Sequence, residues 1–402
     1  MKELGFSLLA HGPDVVSVLR PWMDQFESNN GVHIEANSFE WEAAWPELVK
    51  VSLYGHGPDV SEVGSTWVGS LIAMNALTTI SARELNTYGG PSAFIPSVWQ
   101  PELIDSSGSI WAIPWLAYSR LIYYRRDLLE KAGINEHSAF QTHEQLEQTL
   151  RCLIESGVAA PWCVPTLHSR DTLHNIASWI WSAGGEFAGA EGKYVLFNEP
   201  EARAGMRAYF DLHRYLAPSA RHKDESDSLF KQNQTAVVMS GPWLWPLSPH
   251  QPGVVPEVAA NIGVAVPMGT AFVGFSYLVI WKHSRQEELA KKLVRELTRP
   301  ENRGGNLPAF GGPLSVRLDA LDSSSLVSEP NYQTMVRALK TGRTFPPISL
   351  WGLVEDKLAI ALDKIWEEIL AESQPDIDAI MNKHLDPLAR RLELTLSERY
   401  KS

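Results

Sequence analysis

The sequence predicts an α/β protein with more than one hydrophobic core, and three observations carry that reading. Strand-like and helix-like segments alternate from the first residues, the chain is 402 residues long, and a Pro-punctuated connection interrupts the alternation near residue 114. Alternation of this kind is the pattern of a parallel sheet covered by helices. Single cores stop growing at roughly 250–300 residues, so a chain of this length divides.

The elements follow in order. Leu4-Gly5-Phe6-Ser7-Leu8-Leu9-Ala10 reads as the first strand; it is too short, and too closely preceded by Glu3, to be the apolar segment of a secretory leader. Val15, Val18, Leu19, Trp22 and Phe26 recur at helical spacing until Gly31, and Val32-His33-Ile34-Glu35-Ala36 begins the second strand. A helix through Trp45, Leu48, Val49 and Leu53 stops at Gly55, and Gly57-Pro58-Asp59-Val60 opens a third strand, completing βαβαβ. Residues 113–134 read as a connection, a β-rich segment of Ile and Tyr, and an acidic-then-basic helix ended at Gly133.

The style then repeats. Leu146, Leu150, Leu153 and Ile154 mark a helix, 162–165 a short strand, and 176–181 a helix closed by Gly184-Gly185. Pro200 stands near the first turn of a helix carrying Met206, Tyr209, Phe210 and Leu212. Ala236-Val237-Val238-Met239 is a buried strand leading to Ser240-Gly241-Pro242-Trp243. Residues 272–280 are expected to return the chain to its first half, with a charged helix at 286–297 and a third crossing at 307–313. The remainder, from residue 331, reads as helical, with Leu353, Val354, Leu358, Ala361, Leu362 and Ile365 on one face.

Charge and motif content narrow the function. The net charge of −12, with Lys and Arg dispersed, offers no basic stripe for nucleic acid or anionic lipid. No apolar run approaches the roughly 18 residues a membrane span needs. Cys152 and Cys163 fit no metal-ligand spacing and read as two separate thiols, with a bridge as the alternative. Gly192-Lys193 fails as a phosphate loop because Tyr194 replaces the hydroxyl and Phe187 the leading glycine. Dinucleotide, zinc-protease and serine-hydrolase motifs do not occur. A glycosidase needs only two carboxylates, for which Glu40 and Asp171 are the candidates, and it stands as the minor alternative to a chain that is no enzyme and needs no cofactor or metal.

Fifteen tryptophans are the positive chemical signal. Trp41, Trp67, Trp115, Trp243, Trp245 and Trp351 fall in expected loops, whereas Trp22, Trp45, Trp179, Trp181 and Trp366 fall on helix faces that suit a core. A pyranose presents faces of C–H bonds and a rim of hydroxyls, which calls for flat aromatic surfaces beside fixed polar groups.

Six landmarks in order resemble a family 1 extracellular solute-binding protein, the ligand-capturing component of an ABC importer, of the maltose-binding-like carbohydrate uptake kind. They are Gly57-Pro58-Asp59-Val60 with Trp67 beyond it, the run from Ile113 to Ile134, Ser240-Gly241-Pro242-Trp243, the run from Phe272 to Ile280, Pro308 to Gly312, and Pro346-Pro347-Ile348-Ser349-Leu350-Trp351. The resemblance implies a class II periplasmic-binding-protein fold: two α/β lobes, 1–113 plus 270–312 and 114–269 plus 313–402, joined by a multi-crossing hinge. It implies hinge closure on a mono- to trisaccharide or glycoside in the interlobe cleft, with delivery to a membrane permease. It also implies an extracytoplasmic monomer, periplasmic or lipid-anchored, whose leader was removed ahead of residue 1.

Ligand contacts implied by the resemblance lie in loops at the carboxyl ends of strands. They are His11 and Asp14, Glu40 and Trp41, and Ser65, Thr66 and Trp67 after the first three strands, then Trp115, Tyr118 and Arg120 at the crossover. Tyr118 falls where related maltose-type binders have an acidic residue, which favours a phenol contact or a smaller ligand. Arg120 pins either the ligand or the hinge. Asp171 and Trp243 follow, then a Gly274-Phe275-Ser276 turn, Phe310 as a lid or a packed hinge residue, and Trp351. Binding of a non-sugar polyol or glycerophosphate derivative is the second alternative, with Arg120 and Arg170 as its cations.

Overall fold

A computed structural model describes residues 2–399 apart from 12–13, 100–102, 106, 168–169, 190–191, 193, 218–221, 248, 300–313, 347 and 349–350. The chain forms two compact units, Met1–Tyr118 with Gly274–Glu329 and Ser119–Val273 with Pro330–Ser402. The polypeptide therefore passes between them after Tyr118, after Val273 and after Glu329.

The first unit opens with β1 (Lys2–Leu9), α1 (Val15–Asn30), β2 (Val32–Phe39), α2 (Trp41–Tyr54), β3 (Val60–Gly64) and α3 (Ser65–Ala73). Both early helices stop where a glycine takes the left-handed conformation, Gly31 at φ 60° and Gly55 at φ 62°, and each glycine N–H returns to a carbonyl four residues back. β4 (Leu77–Thr78), α4 (Ala82–Leu85) and β5 (Ile113–Ser119) complete this segment. The second unit then contributes β6 (Leu121–Arg125), α5 (Arg126–Lys131), α6 (His143–Glu155), β7 (Trp162–Cys163), α7 (Asp171–Ser182), α8 (Pro200–Asp211), α9 (Lys223–Lys231), β8 (Val237–Ser240), α10 (Pro256–Asn261) and β9 (Ile262–Ala265). β10 (Val273–Trp281), α11 (Glu287–Leu297), β11 (Leu314–Ser315) and α12 (Leu318–Asp322) return to the first unit, and α13 (Pro330–Thr341), α14 (Trp351–Ala371) and α15 (Ile377–Arg399) finish the second.

Among the described residues the first unit's sheet has seven strands, in the order β11-β5-β10-β3-β1-β2 with β4 beside β10. β1 runs parallel to β2 and β3, so the carboxyl ends of these three strands emerge along one edge of the sheet. The second unit's sheet has the order β7-β8-β6-β9. Its core is aromatic: Trp179 meets Trp162 at 6.4 Å and Tyr209 at 4.9 Å, and Tyr209 meets Trp366 at 5.7 Å. Trp179, Trp181 and Trp366 are buried as helix residues should be, whereas Trp22 and Trp45 are half-buried.

Several expectations need correction. The last passage between units lies after Glu329 and not at 307–313, because β11 pairs with β5 and keeps the following residues in the first unit. Gly274-Phe275-Ser276 is no turn but the interior of β10, nine buried residues long. On α14, Leu353 is exposed while Val354, Leu358 and Ile365 face inward. Cys152 and Cys163 are both free; burial raises the Cys163 thiol to about 12, which leaves it a small apolar group.

Around Val273 the second unit is tied by backbone bonds. Arg120 N–H reaches Phe272 O at 3.0 Å, Val273 N–H reaches Arg343 O at 2.8 Å, and Arg343 N–H reaches Ala271 O at 2.9 Å. Phe272 in turn stacks on His174 at 4.4 Å and packs on Phe345 at 4.7 Å. The segments on which the chain enters and leaves this unit are therefore fastened to one another.

Candidate functional site

In the first unit several of the candidate residues collect at the carboxyl ends of β1, β2 and β3. The β1–β3 ladder stops at Ser7 opposite Ser61, and one residue on, the Glu62 side chain supplies the next acceptor. Its Oε2 accepts Leu9 N–H at 2.9 Å and its Oε1 lies 2.6 Å from His11 Nε2. Trp41 opens α2, donates its indole N–H to Ala10 O at 3.1 Å, and sets its ring edge-on to His11 at 5.7 Å. Trp67 packs on Trp41 at 5.9 Å and on Trp45 at 5.8 Å. Glu40 holds the N-cap position of α2 without a side-chain cap bond and is exposed, and Ser65 and Thr66 form the half-buried first turn of α3.

The second unit gathers a polar group round Arg120, whose side chain is 0 % exposed. Its Nε donates to Asn175 Oδ1 at 2.7 Å, Nη1 to Asp171 Oδ1 at 3.3 Å, and Nη2 to Met239 O at 3.4 Å. Its guanidinium carbon stands 5.4 Å from the centre of the Trp243 ring. Trp243 is fixed from two further sides. Its indole N–H donates to Asp227 Oδ2 at 2.8 Å, and its six-membered ring lies so close to Gly241 that a Cβ there would sit 2.1 Å from Cζ3. Burial raises the Asp227 carboxyl, against the pull of Ser240, Trp243 and the Lys231 and Arg120 charges. The result is a half-buried, pinned indole and a carboxylate at the start of α7 that share Arg120 as a neighbour.

The other expected contacts have different surroundings. Asp14 is the N-cap of α1, accepting Ser17 N–H at 2.9 Å, and its bonds to Ser17 lower its carboxyl. Trp67, Trp115 and Trp351 are not in loops: they sit in α3, β5 and the first position of α14, at 3 %, 1 % and 1 % exposure. Trp115 lies edge-on to Phe6, and Trp351 packs on Phe345 at 4.7 Å and Phe187 at 6.0 Å. Trp245 is half-buried beyond the 3₁₀ turn of Trp243. Tyr118, at the end of β5, lays its ring against Gly274, where a Cβ would be 2.4 Å from Cε1. Phe275 and Ser276 are buried in β10. Arg170 is engaged by Asp356 and stands 3.9 Å from Glu355. Phe310 and the landmark from Pro308 to Gly312 lie outside the described residues, as do Pro347, Ser349 and Leu350.

Sequence reading missed Glu62, Asn175 and Asp227. Glu62 had a signal, a lone carboxylate in the otherwise apolar and small run Val60-Ser61-Glu62-Val63. Asp227 had none, since it stands among the charges of Lys223–Lys231. Among the described residues no cluster of His, Cys, Asp and Glu could hold a metal ion, and no helix is long and apolar enough to cross a membrane.

Comparison with known proteins places these groups in context. The model of the bacterial extracellular solute-binding protein family matches residues 12–304. The diacetylchitobiose binding protein DasA of Streptomyces coelicolor is 23 % identical over 274 residues, which is 64 % of this chain and 61 % of that protein. An ABC transporter solute-binding protein from Thermotoga lettingae bound with α-D-tagatose superposes with a TM-score of 0.80 at 21 % identity, covering 98 % of this chain and 100 % of the other. Maltose-bound MalE3 of T. maritima gives a TM-score of 0.80 at 20 % identity, with 98 % and 100 % covered.

Proposed function

The chain belongs to the bacterial extracellular solute-binding protein family, and from that premise we propose that it is the substrate-binding component of an ABC importer for carbohydrate. Its ligand is a mono- to trisaccharide or a glycoside, captured noncovalently outside the cytoplasm and delivered by a monomer to a membrane permease. The single observation behind the carbohydrate reading is Trp243, an indole locked by Asp227 and Gly241 and sharing Arg120 as a neighbour with the Asp171 carboxylate. A flat apolar face together with a fixed acceptor suits the C–H face and hydroxyl rim of a sugar ring, and rigidity lowers the entropy lost on binding. The ligands named for the relatives, diacetylchitobiose, α-D-tagatose and maltose, are of this class.

Within the second unit we assign ligand contact to Trp243 and Asp171; within the first, His11, Glu40 and Trp41 are the candidates. Arg120 acts through Asp171 and Trp243, because its side chain is 0 % exposed and three of its N–H donors bond inside the protein. The same commitment, with Arg170 engaged by Asp356, weighs against a phosphate-bearing ligand. A thermal-shift panel of mono-, di- and trisaccharides, polyols and glycerophosphodiesters tests the reading. Ligand at a hundred times its dissociation constant adds about 2.7 kcal/mol of stability. Stabilisation by one sugar class is the expected result; stabilisation by a phosphodiester alone overturns the carbohydrate assignment, and turnover of a chromogenic glycoside overturns the binder.

A further inference from the structure

Resting on the carbohydrate reading above, we propose that Glu62 is a positioning residue that holds His11 as the Nε2–H tautomer, so that Nδ1 is left as a bare acceptor for a ligand hydroxyl. The Glu62 side chain is 0 % exposed and that of His11 6 %. A carboxylate so deeply buried must have its lone pairs satisfied, and here both oxygens are engaged: Oε2 by the Leu9 amide at 2.9 Å, Oε1 by His11 Nε2 at 2.6 Å. The amide can only donate and a carboxylate can only accept, so with Glu62 as its carboxylate both oxygens serve as acceptors. The proton of the short bond therefore belongs to the imidazole, on Nε2.

The rest of the ring follows from that assignment. Every hydrogen bond His11 makes among the described residues runs through Nε2, and the ring plane is further fixed by the edge of Trp41 at 5.7 Å. A neutral imidazole with its proton on Nε2 carries a lone pair on Nδ1, and that atom takes a donor. Among uncharged ligands the donor a sugar supplies is a hydroxyl. The device thus contributes an acceptor on the first unit that requires no charged ligand.

Long-range ¹H–¹⁵N correlation spectra of His11 in the ligand-free protein at neutral pH decide the tautomer without any mutation. A proton on Nε2 alone is expected; a proton on Nδ1, whether in the other tautomer or in an imidazolium, overturns the proposal. In Glu62→Gln the Leu9 N–H keeps the amide oxygen and the NH2 faces Nε2, so the ring proton should move to Nδ1. With maltose and D-tagatose as probes, a sugar that stabilises the protein should shift the Nδ1 resonance and bind roughly tenfold more weakly to Glu62→Gln. His11→Asn, which can place an acceptor near the Nδ1 position, should bind better than His11→Ala. A stabilising sugar that leaves the His11 resonances unmoved overturns the ligand contact. If neither probe nor any other sugar stabilises the protein, the carbohydrate reading fails and the contact with it, while the tautomer is still decided by the free protein.

Discussion

Trp243 and Trp351 both lie in sequence patterns that suggest a sugar-stacking position, yet their surroundings differ in kind. Trp351 is enclosed by Phe345 and Phe187 at 1 % exposure, whereas Trp243 keeps part of its indole in reach of solvent while its N–H and one ring edge are pinned. Sequence could not separate them, since the distinction depends on which neighbours close over each ring, and those neighbours come from distant segments. Substitution separates them. Trp351→Ala removes a buried aromatic and should cost about 3–5 kcal/mol of stability, read as a lower midpoint in urea, with sugar affinity of the folded protein within about twofold of the parent. Trp243→Ala should show the reverse balance: a smaller stability loss and a dissociation constant raised roughly tenfold or more, which is at least about 1.4 kcal/mol of binding. Equal affinity loss in both variants would remove Trp243 from the site and make the two residues members of one packing core.

At the scale of elements the reading was most legible where backbone chemistry is local. α1 and α2 end at the glycines that the sequence marks, β1 follows from an apolar-rich run and β2 from the alternation of Val32 and Ile34 with polar residues. It failed at β10, where Gly274 suggested a turn and the chain instead stays extended through nine buried residues. The glycine is there for space and not for a bend. Tyr118 at the end of β5 occupies the volume a side chain at 274 would need, with 2.4 Å between that Cβ and the tyrosine Cε1. A partner on a neighbouring strand, 156 positions away in sequence, leaves no trace near the glycine itself. Gly274→Ala should accordingly destabilise the protein by about 1–3 kcal/mol as the ring is forced aside, and the cost should shrink in a Tyr118→Ala background. A double-mutant cycle by chemical denaturation should return a coupling of about 0.5–3 kcal/mol, and additivity within about 0.3 kcal/mol would show that the two positions do not compete for space.

For the molecule as a whole, length and alternation indicated more than one α/β core and the family resemblance two units, but the last passage between them was hidden by the pairing of β11 with β5, a two-residue contact with no sequence signature. The global property that sequence does report without ambiguity is charge. A net charge of −12 generates a field that disfavours anions at long range, and Arg120 and Arg170 are both paired with carboxylates of the protein. A neutral sugar feels none of this. Hydrogen bonds and stacking against buried, pre-positioned groups are short-ranged, whereas salt acts on charges separated by more than the Debye length of about 8 Å at physiological ionic strength. The dissociation constant for the sugar should therefore change by less than about twofold between roughly 0.02 and 0.5 M NaCl in isothermal titration calorimetry. A phosphate-bearing ligand would behave otherwise in either of two directions: salt would screen the repulsion from the acidic protein and tighten binding, or screen a local arginine contact and weaken it. A change beyond about threefold, of either sign, would mean that the ligand carries charge and that the groups around Arg120 serve a different class of solute.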